Sequence, residues 1–221
     1  KLSNNDFSNE NFKFGSSKSI TINNKKVWAQ RLSYVGELGF ELYVNIKESK
    51  EIYNLIINKG KEYNISHCGM FSMDTMRMEK GYLHWGHDMS PEENQYEAGL
   101  NFTISFKKNI NFVGKKAIEK IKNEKHKKKM VMLTLKDSHP GSPLLLHDEP
   151  IYCEKKIVGR TTSCNYSFNY NKNMSLGYIN LDLPIEELSK KVYFIEVEKK
   201  MYEAVLLKKT LHDPENKLIK S

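Results

Sequence analysis

At 221 residues the chain is long enough to bury one good core or two modest ones. With 39% hydrophobic and 28% charged residues it reads as globular rather than disordered, and no apolar run approaches the roughly 18–20 residues of a membrane span, which excludes a transmembrane helix. The formal net charge of +8 invites a nucleic-acid reading, but Arg31, Arg77 and Arg160 are the only arginines among 35 basic residues. Dispersed lysine lacks the planar fork that reads phosphate and guanine bidentately, so nucleic acid is set aside as a partner.

The opening stretch KLSNNDFSNENFKF carries no initiating Met and no apolar signal region, and reads as the interior of a larger protein. Trp28, Gln30 and Leu32 alternate with Ala29 and Arg31, and Phe40, Leu42 and Val44 alternate with Glu41 and Tyr43, which predicts two half-buried strands. Between them Glu37 sits at a turn near Gly36 and Gly39, glycines that allow positive φ and close backbone approach. By spacing alone, Glu37 is an ordinary polar hairpin tip.

Residues 47–63 place Ile52, Leu55, Ile56 and Tyr63 near one face, with Glu48 and Glu51 early, as an amphipathic helix requires. A second helix is expected over 72–82, capped by Ser72 and ended by Gly81, with Met73, Met76 and Lys80 on one side and Arg77 one residue round. His84, His87 and Asp88 are metal-ligand types, yet Gly81 and Gly86 argue against a helix there and no distant third ligand stands out. A strand is expected over 101–106 and a short helix within 111–125.

The charge run at 122–130 reads as a solvated connection, so a domain boundary is placed there, dividing 1–125 from 126–221. Beyond it MVMLTLK, EPIYCEKKIVGRTTS, MSLGYINL, KKVYFIEV and KMYEAVLLK are five or six short strands, the pattern of a small antiparallel barrel or sandwich, with Arg160 in one of its loops. A tail with a turn at Asp213-Pro214 follows. Cys68, Cys153 and Cys164 are widely spaced with no CxxC, which suggests inert thiols and a reducing compartment: the cytoplasm, or the mitochondrial matrix in a eukaryote.

Four stretches, RLSYVGELGFELYV (31–44), MDTMRMEKGYLHWGHDMSPEENQYEAGLNFTI (73–104), NFVGKKAI (111–118) and EPIYCEKKIVGRTTSCNYSFNYNKNMSLGYI (149–179), resemble the aminomethyltransferase family in order along the chain. This is the folate-binding T-protein of the glycine cleavage system and the equivalent C-terminal part of dimethylglycine and sarcosine dehydrogenases. YVGELGFELY, EKGYLHWGHDM and LHDPENK are more similar to the dehydrogenase branch. The resemblance implies an α+β fold: the second half of the folate-binding domain, followed by a C-terminal antiparallel β-barrel. Cys164 falls where relatives commonly carry glycine. The earlier half of the folate body, and the FAD domain of a complete dehydrogenase, would lie outside this sequence, which contains no GxGxxG phosphate loop.

The resemblance also implies site residues. Glu37 falls where the family's glutamate holds the pterin ring of tetrahydrofolate; a pterin edge offers two parallel N–H donors, and a carboxylate is a two-oxygen acceptor of matching spread. Arg77 falls on the arginine of the family's D-x-x-R-x-E-x-G stretch, which contacts folate; a salt bridge to Asp74 is the competing explanation. Tyr34 borders the pterin or is simply a core edge. The expected ligands are folate and a methylated amine, with three enzymatic or binding roles in view: a dehydrogenase part, a free-standing aminomethyltransferase, and a binding module without chemistry.

Overall fold

The computed structural model describes residues 2–108 and 110–221. The chain packs as two compact units, Lys1–Lys80 with His212–Ser221, and Gly81–Leu211.

In the first unit, β1 (Ser17–Ile22) and β2 (Lys25–Gln30) form a hairpin closed by Asn23 and Asn24, both at positive φ, the two-residue turn whose twist suits paired strands. β3 (Glu41–Tyr43) adds to the other edge of β2 to give the antiparallel order β1-β2-β3. One face of the sheet carries Ile20, Ile22, Val27 and Ala29, which pack with Phe12 and Ile52 into a core. The inward phase of β2 is thus Val27–Ala29–Arg31, while Trp28 lies on the outer face, 47% exposed, opposite Tyr43.

α1 (Ile46–Gly60) begins where the Asn45 side chain accepts the Lys47 N–H, and buries Ile52 against the sheet. It gives way at Lys61–Tyr63 to a 3-10 turn, so Tyr63, expected on the apolar face, is exposed. α2 (Met70–Lys80) starts two residues before the expected Ser72 cap and stops before Gly81, whose φ of +78° leaves the helical region. Its last turn, Arg77 to Lys80, is buried.

In the second unit, the segment expected as a strand over 101–106 is instead a 3-10 turn at Asn101–Thr103, where Thr103 and Ile104 donate to Leu100 and Asn101 carbonyls. α3 (Lys115–Ile121) falls within the helix expected in 111–125. The barrel is built from β4 (Lys129–Leu135), β5 (Pro150–Cys153), β6 (Lys156–Ser167), β7 (Lys172–Ile179), β8 (Tyr193–Val197) and β9 (Lys200–Leu207). They close in the order β4-β7-β6-β5-β8-β9, every pairing antiparallel, around Leu133, Leu135, Ile151, Ile179, Ile195 and Leu206. A one-turn helix, α4 (Ile185–Leu188), buries Leu188 in this core.

β6 and β7 approach closely at two glycines: a Cβ on Gly159 would lie 1.8 Å from the Tyr178 carbonyl oxygen, and one on Gly177 2.5 Å from that of Arg160. Any side chain at Gly159 must push the ladder apart. Gly159→Ala is therefore expected to destabilise the protein by about 2–3 kcal/mol in chemical denaturation, and an unchanged midpoint would mean that the strands separate there at no cost.

Candidate functional site

The ten residues between β2 and β3 are a long loop rather than the tight hairpin that the spacing suggested. It leaves the sheet through Arg31, which is 1% exposed and donates from Nη1 to the Phe12 carbonyl and from Nη2 to the backbone oxygens of Lys220 and Ser221. Gly36 takes a positive φ of +79°, as its neighbours require: a Cβ there would lie 2.9 Å from Lys80 Cδ and 3.1 Å from His212 Cδ2. Gly39 serves differently. Its φ is not in the left-handed region, but a Cβ would meet Ser33 Cβ at 2.8 Å, so it allows the two arms of the loop to touch.

This close packing delivers Glu37 to His212. Glu37 Oε1 lies 2.5 Å from His212 Nε2, with the glutamate side chain 41% exposed and the histidine largely buried. The His212 N–H donates to the Glu79 carbonyl at the end of α2. Beside it Lys80 Nζ meets Asp213 Oδ2 at 3.0 Å, both side chains buried, and also donates to the Asp213 carbonyl. Burial pushes the Asp213 carboxyl up, but the Lys80 ammonium and the N–H groups of Leu218, Ile219 and Lys217 outweigh it and hold the group well below the usual carboxylate range.

Arg77 is buried, and its Nε and Nη2 both lie 2.8 Å from Asp74 Oδ1. The contact that competed with a ligand role in the sequence is thus present. Tyr34 is half-buried in the same loop as Glu37. The sequence places Lys80 on a helix face and Asp213 at a turn but reads neither them nor His212 as site residues, although LHDP, a histidine before an Asp-Pro turn, is the available signal.

The second unit holds a cavity of about 570 Å³ bordered by His87, Asp88, Glu93, Lys128, Arg160 and Tyr178 among others. Asp88 is buried and accepts the Thr162 hydroxyl at 2.5 Å and the His84 N–H at 2.8 Å, so HWGHD supplies a structural carboxylate. Arg160 lies within β6, not in a loop, and pairs with Asp148. Burial pushes the Cys153 and Cys164 thiols up, further at Cys164, where the cost of burial is greater and the Glu149 charge adds to it, which keeps both protonated and weakly reactive.

Two sequence families match consecutive stretches: the GCVT N-terminal domain over residues 1–108 and the glycine cleavage T-protein C-terminal barrel domain over 128–213. Human mitochondrial dimethylglycine dehydrogenase is 36% identical over 213 residues, 96% of this chain and 24% of that protein. Mouse mitochondrial sarcosine dehydrogenase is 31% identical, over 97% of this chain and 23% of its own length, so the chain spans about a quarter of these relatives. The aminomethyltransferase of Halothermothrix orenii is 31% identical over 78% of this chain and 47% of its own. Among solved structures, the glycine cleavage aminomethyltransferase T of Bartonella henselae superposes with a TM-score of 0.73 at 18% identity, covering 85% of this chain and 50% of that one. With its α+β unit, its closed six-stranded barrel and both family domains matched in order, the chain belongs to the aminomethyltransferase (glycine cleavage T-protein) family.

Proposed function

We propose that this chain is the tetrahydrofolate-binding part of a dimethylglycine/sarcosine dehydrogenase-like enzyme, in which tetrahydrofolate captures the one-carbon unit of an N-methyl amine as 5,10-methylenetetrahydrofolate. The observation that carries the reading is Glu37, a half-exposed carboxylate held on a built loop between Gly36 and the close Gly39–Ser33 contact. Its oxygens suit the paired N–H donors of a pterin edge. Arg77, with its guanidinium plane fixed by Asp74, is the proposed folate-side cation, and Tyr34 the proposed border of the ring.

The residues proposed here bind and orient: their contribution is to hold the reacting nitrogens of the folate near the arriving electrophile. Oxidation of the amine, with the FAD it requires, falls to sequence outside these 221 residues. A free-standing aminomethyltransferase is the second reading, supported by the Halothermothrix relative; alignment over 96% of the chain with a dehydrogenase against 78% with the transferase favours the first. A binding module without chemistry is the third. We keep 125/126 as the division between the two family domains, supported by the family matches that end at 108 and resume at 128, while the compact units of the fold divide at Lys80/Gly81 and Leu211/His212, and we keep a reducing compartment, the cytoplasm or mitochondrial matrix.

Calorimetric titration of the full-length protein with tetrahydrofolate tests the reading. Glu37→Ala is expected to weaken binding at least about tenfold, about 1.4 kcal/mol, with little change in melting temperature because the side chain lies outside the core. Unchanged affinity would remove Glu37 from the site.

A further inference from the structure

The tail that follows β9 returns to the first unit and ends beside the loop of Glu37. We infer that His212 is a positioning residue for Glu37: it holds one carboxylate oxygen so that the side chain is already aimed when the folate arrives. This rests on the reading of Glu37 as the pterin contact and adds the group that orients it.

Three observations support the role. The first is the 2.5 Å contact from Nε2 to Oε1, made by a side chain that is 15% exposed and therefore fixed in place. The second is its mounting. The His212 N–H is tied to the Glu79 carbonyl, and the next residue, Asp213, is locked by Lys80, so the imidazole projects from backbone anchored at both positions. The third is Gly36, whose missing side chain leaves the space that His212 Cδ2 and Lys80 Cδ occupy; a Cβ on the residue preceding Glu37 would force this contact apart.

The contact leaves the carboxylate able to work. An ionised carboxylate has about four acceptor directions on two oxygens, and His212 Nε2 is placed against Oε1, so other directions can receive the paired donors of a pterin. A glutamate on a loop otherwise samples many rotamers, and ordering it at the moment of binding costs affinity. A buried imidazole that has already chosen the rotamer removes part of that cost. Glu37 and His212 therefore act as one recognition element contributed by two distant parts of the chain.

The test is titration of the full-length protein and its variants with tetrahydrofolate and with its 2-desamino analogue, which lacks one of the two edge donors. His212→Ala is expected to weaken tetrahydrofolate about five- to tenfold and to shrink the preference for tetrahydrofolate over the analogue. His212→Gln, which keeps an N–H donor at the end of the side chain, is expected to recover most of both. On a Glu37→Ala background, His212→Ala should have no further effect on affinity. The preference between ligands reports the aim of the carboxylate, which a loss of general stability does not move. If Glu37→Ala weakens binding while both His212 variants bind with wild-type affinity and preference, the positioning role is wrong and the Glu37 site stands. If Glu37→Ala itself binds normally, the pterin site is wrong and this role falls with it.

Discussion

Arg31→Ala is expected to lower the unfolding free energy by about 3 kcal/mol or more, because charge-assisted hydrogen bonds contribute roughly 1.5–3 kcal/mol each and the Phe12 carbonyl left behind is buried. The guanidinium donates to the Phe12 carbonyl at 2.6 Å and to the Ser221 backbone oxygen at 2.6 Å, with Lys220 at 3.2 Å. It is 1% exposed. Removal orphans the buried Phe12 oxygen and opens a void under the sheet, the two mechanisms that produce large mutational losses. Arg31→Lys is expected to recover only part, since one ammonium cannot span the oxygens that the planar fork reaches. Chemical denaturation measures the loss, and amide exchange at Ile219 should quicken in parallel, because the same bonds hold the end of the tail. A loss under 1 kcal/mol would show that water reaches the Phe12 carbonyl.

That arginine also marks where sequence reading reached its limit. Periodicity located α1 and the barrel strands because their buried faces recur every third or fourth residue, or every second, within one short window. It fails where the partner is remote. The alternation in β2 placed Trp28 and Ala29 on opposite faces without deciding which faced inward. The answer is set by Phe12 and by backbone oxygens 189 and 190 positions from Arg31. β1 went unread because it buries only Ile20 and Ile22 among Ser, Thr and Lys. NFTISF alternates like a strand, yet Phe102 is 79% exposed, and the local bonds of Thr103 and Ile104 curl the chain.

The candidate site divides the same way. Glu37, Tyr34 and Arg77 were found through the family resemblance, not through any property of their own neighbourhoods. Asp74, three residues from Arg77, was legible as its partner because helix spacing brings such pairs together. His212 and Asp213 were not, because nothing within their own stretch reveals that they fold back onto α2 and the Glu37 loop. A glycine beside a site glutamate gives a chemical signal only once its contacts are seen: Gly36 reads as turn chemistry in sequence and as room for an imidazole in the structure.

The buried Lys80–Asp213 pair carries the second large expectation. Lys80→Met should lower the melting temperature by roughly 5 °C or more, since it leaves a buried carboxylate without its cation. Replacing both partners, as Lys80→Met with Asp213→Leu, should cost less than Lys80→Met alone, because no charge is then stranded, although the N–H groups of Lys217 and Ile219 lose their acceptor. The pair also sets an acid limit. Asp213 has its carboxyl held below the ordinary value of 3.8, so its contribution to stability is complete above that value and is lost as pH falls from there through the lower folded value. Melting curves of the wild type and Asp213→Asn between pH 7 and pH 2 should therefore differ by a constant amount down to about pH 5 and converge below 3.8. A gap that persists unchanged at pH 2 would mean that the carboxylate's charge is not what fastens the tail. A gap that widens on acidification would reverse the sign of the linkage.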